Sequence, residues 1–155
     1  MSELRPADVF AALRDARVDY VTVGGIAVVA HGVVRATIDV DIVPSPNAEN
    51  RERLAAALGA LGAQPAGAPG ITITRELLAR DANMRFDTDA GQVDVLSAKQ
   101  YRRLYPDLRA RALEVEVDGV PIVVASRNDL IRLKAATGRD RDLLDIGDLL
   151  ALDEQ

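Results

Sequence analysis

Two aspartates separated by one residue, Asp39 and Asp41, carry the clearest chemical signal in this chain. They lie in residues 38–43, where acidic and apolar side chains alternate, and alternation of that kind reads as a β-strand. Successive strand residues point to opposite faces, so Asp39 and Asp41 project together while Ile38, Val40 and Ile42 share the buried face. Their Cα atoms would stand roughly 6.6 to 7 Å apart, two residues of strand rise. Carboxylates at that separation can share a pair of divalent ions, and paired ions orient the attacking and leaving oxygens of phosphoryl transfer. Without a cation they repel, and one tends to take up a proton. An isolated pair of this kind also fits the solvated side of an edge strand, so its surroundings decide.

Upstream, residues 20–23 form a short β-branched run that ends at Gly24-Gly25, followed by an apolar segment expected to be a short helix. Glycine permits a tight turn and lets a ligand approach the backbone, and a helix start presents unpaired N–H groups that suit phosphates. A strand, a Gly-Gly turn, a helix and an Asp-x-Asp strand in that order are far more specific than any one part. A third carboxylate would complete the metal site. Asp94 is the leading candidate, because Val93 and Val95 mark the inward face of its strand. Asp87 and Asp89 compete from beside a hairpin turn, where aspartate is common for local reasons.

Composition narrows the chemistry further. The 155 residues contain no cysteine and one histidine, His31, which excludes thiolate and multi-histidine metal sites within one chain. Carboxylate oxygens favour hard ions, magnesium or manganese. A net charge of −5 argues against a general nucleic-acid binder held by phosphate attraction, and 3% aromatics against a stacking platform for single strands. Charges interrupt every apolar segment, so no membrane span is expected, and the amino terminus lacks the features of a signal peptide. A cytoplasmic protein follows as the expectation.

The elements that must position these residues are legible in outline. Helices are expected over 6 to about 17, 47–61, 98 to about 104, 127–137 and 140–152, with Gly138 dividing the last two. Val9, Phe10 and Leu13 share one face of the first. Hairpins are expected over 84–96, turning at Asp89-Ala90-Gly91, and over 113–124, turning at Asp118-Gly119. Residues 62–70 read as a flexible Pro/Gly/Ala-rich loop. Ser126 with Asp129 has the spacing of a capping box. The fold class is α/β (α+β), a mixed sheet flanked by helices with a C-terminal helix pair, in one domain over 1–155.

The pattern Gly24-Gly25-x-Ala27, His31-Gly32, Arg35, Thr37 and Asp39-Val40-Asp41 resembles the nucleotidyltransferase superfamily with the polymerase-beta-like fold. Within it, the chain is most similar to the small bacterial branch that includes AbiEii-type toxins. The tail from Asp129 to Lys134, with Gly138-Arg139, Asp142 and Asp145, is similar to that branch's C-terminal signature. The resemblance implies transfer of a nucleoside monophosphate from a nucleoside triphosphate (NTP) to an acceptor, with release of pyrophosphate. It implies that Asp39 and Asp41 bind the Mg2+ or Mn2+ that holds the triphosphate. Asp94 would complete the second metal site and help activate the acceptor hydroxyl. Gly24 and Gly25 would contact phosphates, although Gly25 stands where a serine hydroxyl is commoner.

Arg35 and Lys134 are the candidate cations beside the triphosphate. Their alternatives are a surface residue at a loop end and a solvated helix residue opposite Leu130, Leu133 and Thr137. Asp142, Asp145 and Asp148 recur every three residues and read as a structural acidic row expected to pair with Arg139 or Arg132, with Leu143, Ile146 and Leu150 lining the other side of the helix. His31 reads as a packed or hydrogen-bonded residue. The leading expectation for function is the toxin-like half of a toxin–antitoxin pair acting on an RNA such as tRNA, or on protein, with a cognate antitoxin or toxin as partner. The alternatives are nucleotidylation of a small molecule such as an antibiotic, and a non-catalytic nucleotide-binding antitoxin or regulator.

Overall fold

The computed structural model describes residues 2–152. Pro6 opens helix α1 (Pro6–Asp15), where its missing N–H costs nothing, and Val9, Phe10 and Leu13 are buried as expected. The helix ends before Arg17, whose φ of 60° turns the chain while Val18 N–H bonds back to the Leu13 carbonyl at 2.9 Å. Strand β1 (Tyr20–Val23) then leads directly into α2 (Gly24–Ala30), and β2 (Asp39–Pro44) follows after a loop. Asn47 caps α3 (Ala48–Ala60), its side chain accepting the Asn50 N–H at 2.8 Å.

The region expected to be a loop contributes a short edge strand, β3 (Gln64–Pro65), and α4 (Arg75–Leu78) forms one helical turn shortly after it. Both hairpins form, β4 (Asn83–Thr88) with β5 (Gly91–Leu96), and β6 (Leu113–Val117) with β7 (Val120–Val124). Between them α5 (Lys99–Arg111) runs past Pro106, beyond the end expected near residue 104. Proline removes one helical N–H, but Tyr105 and Leu108 on either side are buried and hold the helix through it. The chain closes with α6 (Arg127–Thr137), Gly138 in the left-handed conformation, and α7 (Asp140–Ala151). Ser126 accepts the Asp129 N–H, but the Asp129 carboxylate turns to Arg111 and Arg132, so only half of the expected capping box forms.

These strands make one mixed seven-stranded sheet in the order β3-β4-β5-β2-β1-β7-β6. Strand β2 pairs parallel with β5 and antiparallel with β1. Register and alternation put Tyr20, Thr22, Val40, Ile42, Val93 and Val95 on one face, where α1 lays Phe10 on Tyr20 with ring centroids 6.1 Å apart. The other face carries Val21, Val23, Val43, Asp39, Asp41 and Asp94. Ile38 departs from its expected place: pairing begins at Asp39, and Ile38 is 77% exposed. Among the described residues, no helix is long and apolar enough to cross a membrane.

Asn50 shows how the loop ends are fixed. Its wholly buried side chain accepts the Asp19 N–H at 2.7 Å and donates to the carbonyls of Asp19 and Ser45 at 2.8 and 3.0 Å. Asn50→Ala would leave those backbone groups unpaired, so a loss of about 3 kcal/mol is expected. A thermal melt should read this as a fall on the order of 10 °C.

The last helix is rotated the opposite way from its expected placement. Asp142 and Asp145 face inward with Leu149, while Leu143, Leu144 and Leu150 are exposed. The surface that α7 covers holds the cations Arg35 and Lys134, so charge pairing rather than apolar periodicity sets its rotation.

Candidate active site

The β2–β5 register builds the acidic cluster. Asp41 lies directly beside Asp94, and Asp39 beside Gln92, which donates from Nε2 to Asp39 Oδ2 at 3.2 Å. One carboxylate oxygen from each of Asp39, Asp41 and Asp94 lies within 4.8 Å of the others. Asp87 is exposed on β4, and Asp89 lies at the hairpin turn beside Gly62, so neither joins the cluster.

Burial pushes the Asp41 carboxyl up to about 8, helped by the negative charges of Asp39 and then Asp94. Asp39 is raised by the same causes, burial first and Asp94 next. Asp94 is within hydrogen-bonding reach of both, a contact between carboxylates that needs a proton or a cation. Three convergent carboxylate oxygens with surplus negative charge fit a hard divalent ion such as magnesium or manganese. Arg85 supplies partial compensation, its Nε and Nη2 meeting Asp94 at 3.0 and 3.4 Å.

All seven residues singled out from the sequence line one cleft of 970 Å³: Asp39, Asp41, Asp94, Gly24, Gly25, Arg35 and Lys134. The two glycines also have a structural purpose. Gly24 has a φ of +70°, and a Cβ there would run into the Asp41 carboxylate. A Cβ on Gly25 would stand 2.8 Å from Thr37 Oγ1 and 3.2 Å from the Arg35 guanidinium. Gly24→Ala is therefore expected to cost about 2 kcal/mol from backbone strain and to displace Asp41. A melting temperature lower by about 5 °C together with weakened Mn2+ binding by calorimetry would check both effects.

The two candidate cations are neither free nor solvated. Arg35 Nη1 meets Asp145 Oδ2 at 2.6 Å, and buried Lys134 places Nζ 2.9 Å from the same oxygen and 3.5 Å from Asp142 Oδ1. Burial alone would raise Asp142, but hydrogen bonds from Arg139 and Thr137 hold it down at about 2. His31 donates from Nε2 to the Ala125 carbonyl, 2.8 Å away, and so acts as a tie between α2 and the end of β7.

Sequence reasoning missed Arg85, Tyr101 and Arg139, all of which line the cleft. Arg85 was findable, because a hairpin with Asp89-Ala90 at its tip pairs residue 85 with residue 94. Tyr101 had no local signal, and Arg139, although part of the C-terminal signature, was read only as a partner for the acidic row, a pairing that Asp142 makes at 2.8 Å.

Across residues 3–153 the sequence matches the family described as "Nucleotidyltransferase of unknown function (DUF6036)". No curated protein matches the chain significantly. Its fold is shared with lincosamide antibiotic adenylyltransferase LnuA in a lincomycin-bound crystal structure, at TM-score 0.66 and 14% identity over 97% of this chain and 99% of that one. It is also shared with the antibiotic-resistance factor ANT(2'')-Ia, at 0.63 and 15% over 96% and 81% of the two chains. An antigenic nucleotidyltransferase-like protein from Paracoccidioides brasiliensis gives 0.59 and 18% over 97% and 79%. At these identities the likeness is one of fold, whereas the family match spans nearly the whole sequence: the chain belongs to this nucleotidyltransferase family.

Proposed function

We propose that this protein transfers a nucleoside monophosphate from an NTP to a hydroxyl of a small-molecule acceptor, with Mg2+ or Mn2+ held by Asp39, Asp41 and Asp94. The carrying observation is the convergence of these three carboxylates in a cleft that also contains Arg35, Lys134 and Arg139. Bound there, the divalent ions supply charge neutralisation at the phosphates and acidify the attacking hydroxyl. Asp94 stands at the end of the cluster reached by Arg85 and takes the hydroxyl proton on a carboxylate oxygen. The acceptor oxygen bonds to the α-phosphorus, the bond to the pyrophosphate oxygen breaks, and Arg35 and Lys134 hold the departing phosphates. Gly24 keeps a side chain out of the space beside Asp41, Gly25 out of that beside Thr37 and Arg35, and both leave the backbone open to a phosphate.

The cleft volume of 970 Å³ suits a nucleotide together with a small acceptor, and the chain's negative charge suits a cationic one. LnuA and ANT(2'')-Ia, in complexes with lincomycin and with adenylyl-2''-tobramycin, are relatives in fold of that kind. A second reading places the chain in the AbiEii-like branch as part of a toxin–antitoxin pair with RNA or protein as acceptor. Exposed Lys99, Arg103 and Arg109 on α5, basic side chains on an acidic protein, favour it. An NTP donor fits a cytoplasmic location in either reading.

Incubation with α-labelled NTPs, Mg2+ or Mn2+, and a panel of aminoglycosides, lincosamides, tRNA and total protein tests the proposal. Label on a small molecule supports the first reading, and label on RNA or protein the second. Nucleotide binding without transfer to any acceptor would mark a binding module, and no nucleotide binding would overturn the reading altogether.

A further inference from the structure

We propose that Asp145 is a positioning residue for the triphosphate: from inside α7 it fixes Arg35 and Lys134 at the cleft wall so that both cations meet the phosphates. The inference rests on the nucleotidyl-transfer reading and adds a residue that touches neither nucleotide nor metal.

Asp145 is wholly buried, and its Oδ2 takes two cations at once, Arg35 at 2.6 Å and Lys134 at 2.9 Å. Its other oxygen, Oδ1, makes no hydrogen bond, and Arg141 Nε stands 3.7 Å from it. Arg35 comes from the loop between α2 and β2, Lys134 from α6 and Arg141 from α7. One carboxylate therefore ties together three segments that border the cleft.

A buried carboxylate is tolerated only when paired, and a buried ammonium likewise, so loss of the Asp145 charge would leave Lys134 poorly compensated. Long cationic side chains also lose rotamer freedom when they bind phosphate, and an ion pair that already orders them removes part of that cost. Around the two inward carboxylates of α7, cations outnumber anions. Asp142 and Asp145 are contacted by four cations, namely Arg35, Lys134, Arg139 and Arg141. That surplus is what a polyphosphate recognises. Both clamped cations remain in electrostatic reach of the acidic cluster, Arg35 acting on Asp39 and Lys134 on Asp41. They stand where an ion-bound triphosphate would need them.

Asp145→Asn keeps the side-chain shape and removes the charge. Circular dichroism would report folding, calorimetry the binding of ATP with Mg2+, and steady-state kinetics the KM for NTP and acceptor separately. The expected result is a folded variant with ATP affinity weakened and KM for NTP raised by about 10- to 100-fold, while KM for the acceptor stays within about twofold. Unchanged ATP affinity in the folded variant overturns the inference and leaves the transfer reading standing. A wild-type protein that binds none of ATP, GTP, CTP and UTP with Mg2+ overturns both. Should the asparagine variant fail to fold, Arg35→Gln and Lys134→Gln, singly and together, carry the test. Cations dependent on one carboxylate should show non-additive losses of ATP affinity, and additive losses or none would overturn the inference.

Discussion

Asp41→Asn is expected to abolish nucleotidyl transfer while making the ion-free protein more stable. The two effects have one cause. In the folded chain Asp41 is largely buried, beside Asp94 in the β2–β5 register and two residues from Asp39, and its carboxyl is pushed up to about 8. Ionised, it is therefore poorly accommodated unless a divalent ion joins the cluster, and its negative charge is what such an ion needs. Asparagine fills the same space and removes that charge. The loss of ion binding should cost roughly 4 kcal/mol in the transition state, about 1000-fold in rate. The relief of repulsion should raise the melting temperature of chelator-treated protein near neutral pH by several degrees. Label transfer and thermal melts on the same preparation check both. Transfer at the wild-type rate would remove Asp41 from the metal site. A lower melting temperature in chelator would show that its carboxylate is not strained by its neighbours.

The residues that could be found from the sequence are those whose geometry is local. Alternation within β2 puts Asp39 and Asp41 on one face, and Gly24-Gly25 open the helix that immediately precedes that strand in the chain. Asp94 needed more, because nothing near it in sequence says that β5 lies parallel to β2. Its own alternation left Asp87 and Asp89 in contention until Asp41↔Asp94 pairing separated them. Ile38 was misplaced for a related reason: its alternation continues, but the pairing does not extend to it. The rotation of α7 was the largest misreading. Leucines at helical spacing ordinarily face the core, yet Asp145 finds Arg35 from 110 positions earlier in the chain, a contact invisible to periodicity. Where buried charge meets buried charge, the apolar pattern of one helix does not report which side is in.

The second large effect concerns pH in the absence of ions. Asp41 has an ordinary value of 3.8, which applies to the unfolded chain, and about 8 in the fold, and Asp39 is raised in the same direction. Folding therefore favours the protonated form. The stability this contributes is fully present below about pH 4 and is lost as pH rises through the folded value near 8. Asp142 works in the opposite sense. Its carboxyl is held down at about 2, so its contribution is present above its ordinary value and fades only in stronger acid, outside that window. Between about pH 5 and about pH 8, chelator-treated protein should lose on the order of 3 kcal/mol, about 10 °C in melting temperature. Millimolar Mg2+ or Mn2+ should flatten or reverse that slope, because an ion selects the ionised carboxylates and binds only the folded arrangement. Ca2+ is an informative control, since its longer oxygen distances suit a looser cage than three carboxylates held by paired strands. Melts that decline with pH equally with and without Mg2+ or Mn2+ would show that Asp39, Asp41 and Asp94 do not share an ion. A decline that Mg2+ or Mn2+ abolishes in the wild type, and that is already weaker in Asp41→Asn, would tie the effect to the β2–β5 carboxylates rather than to net charge.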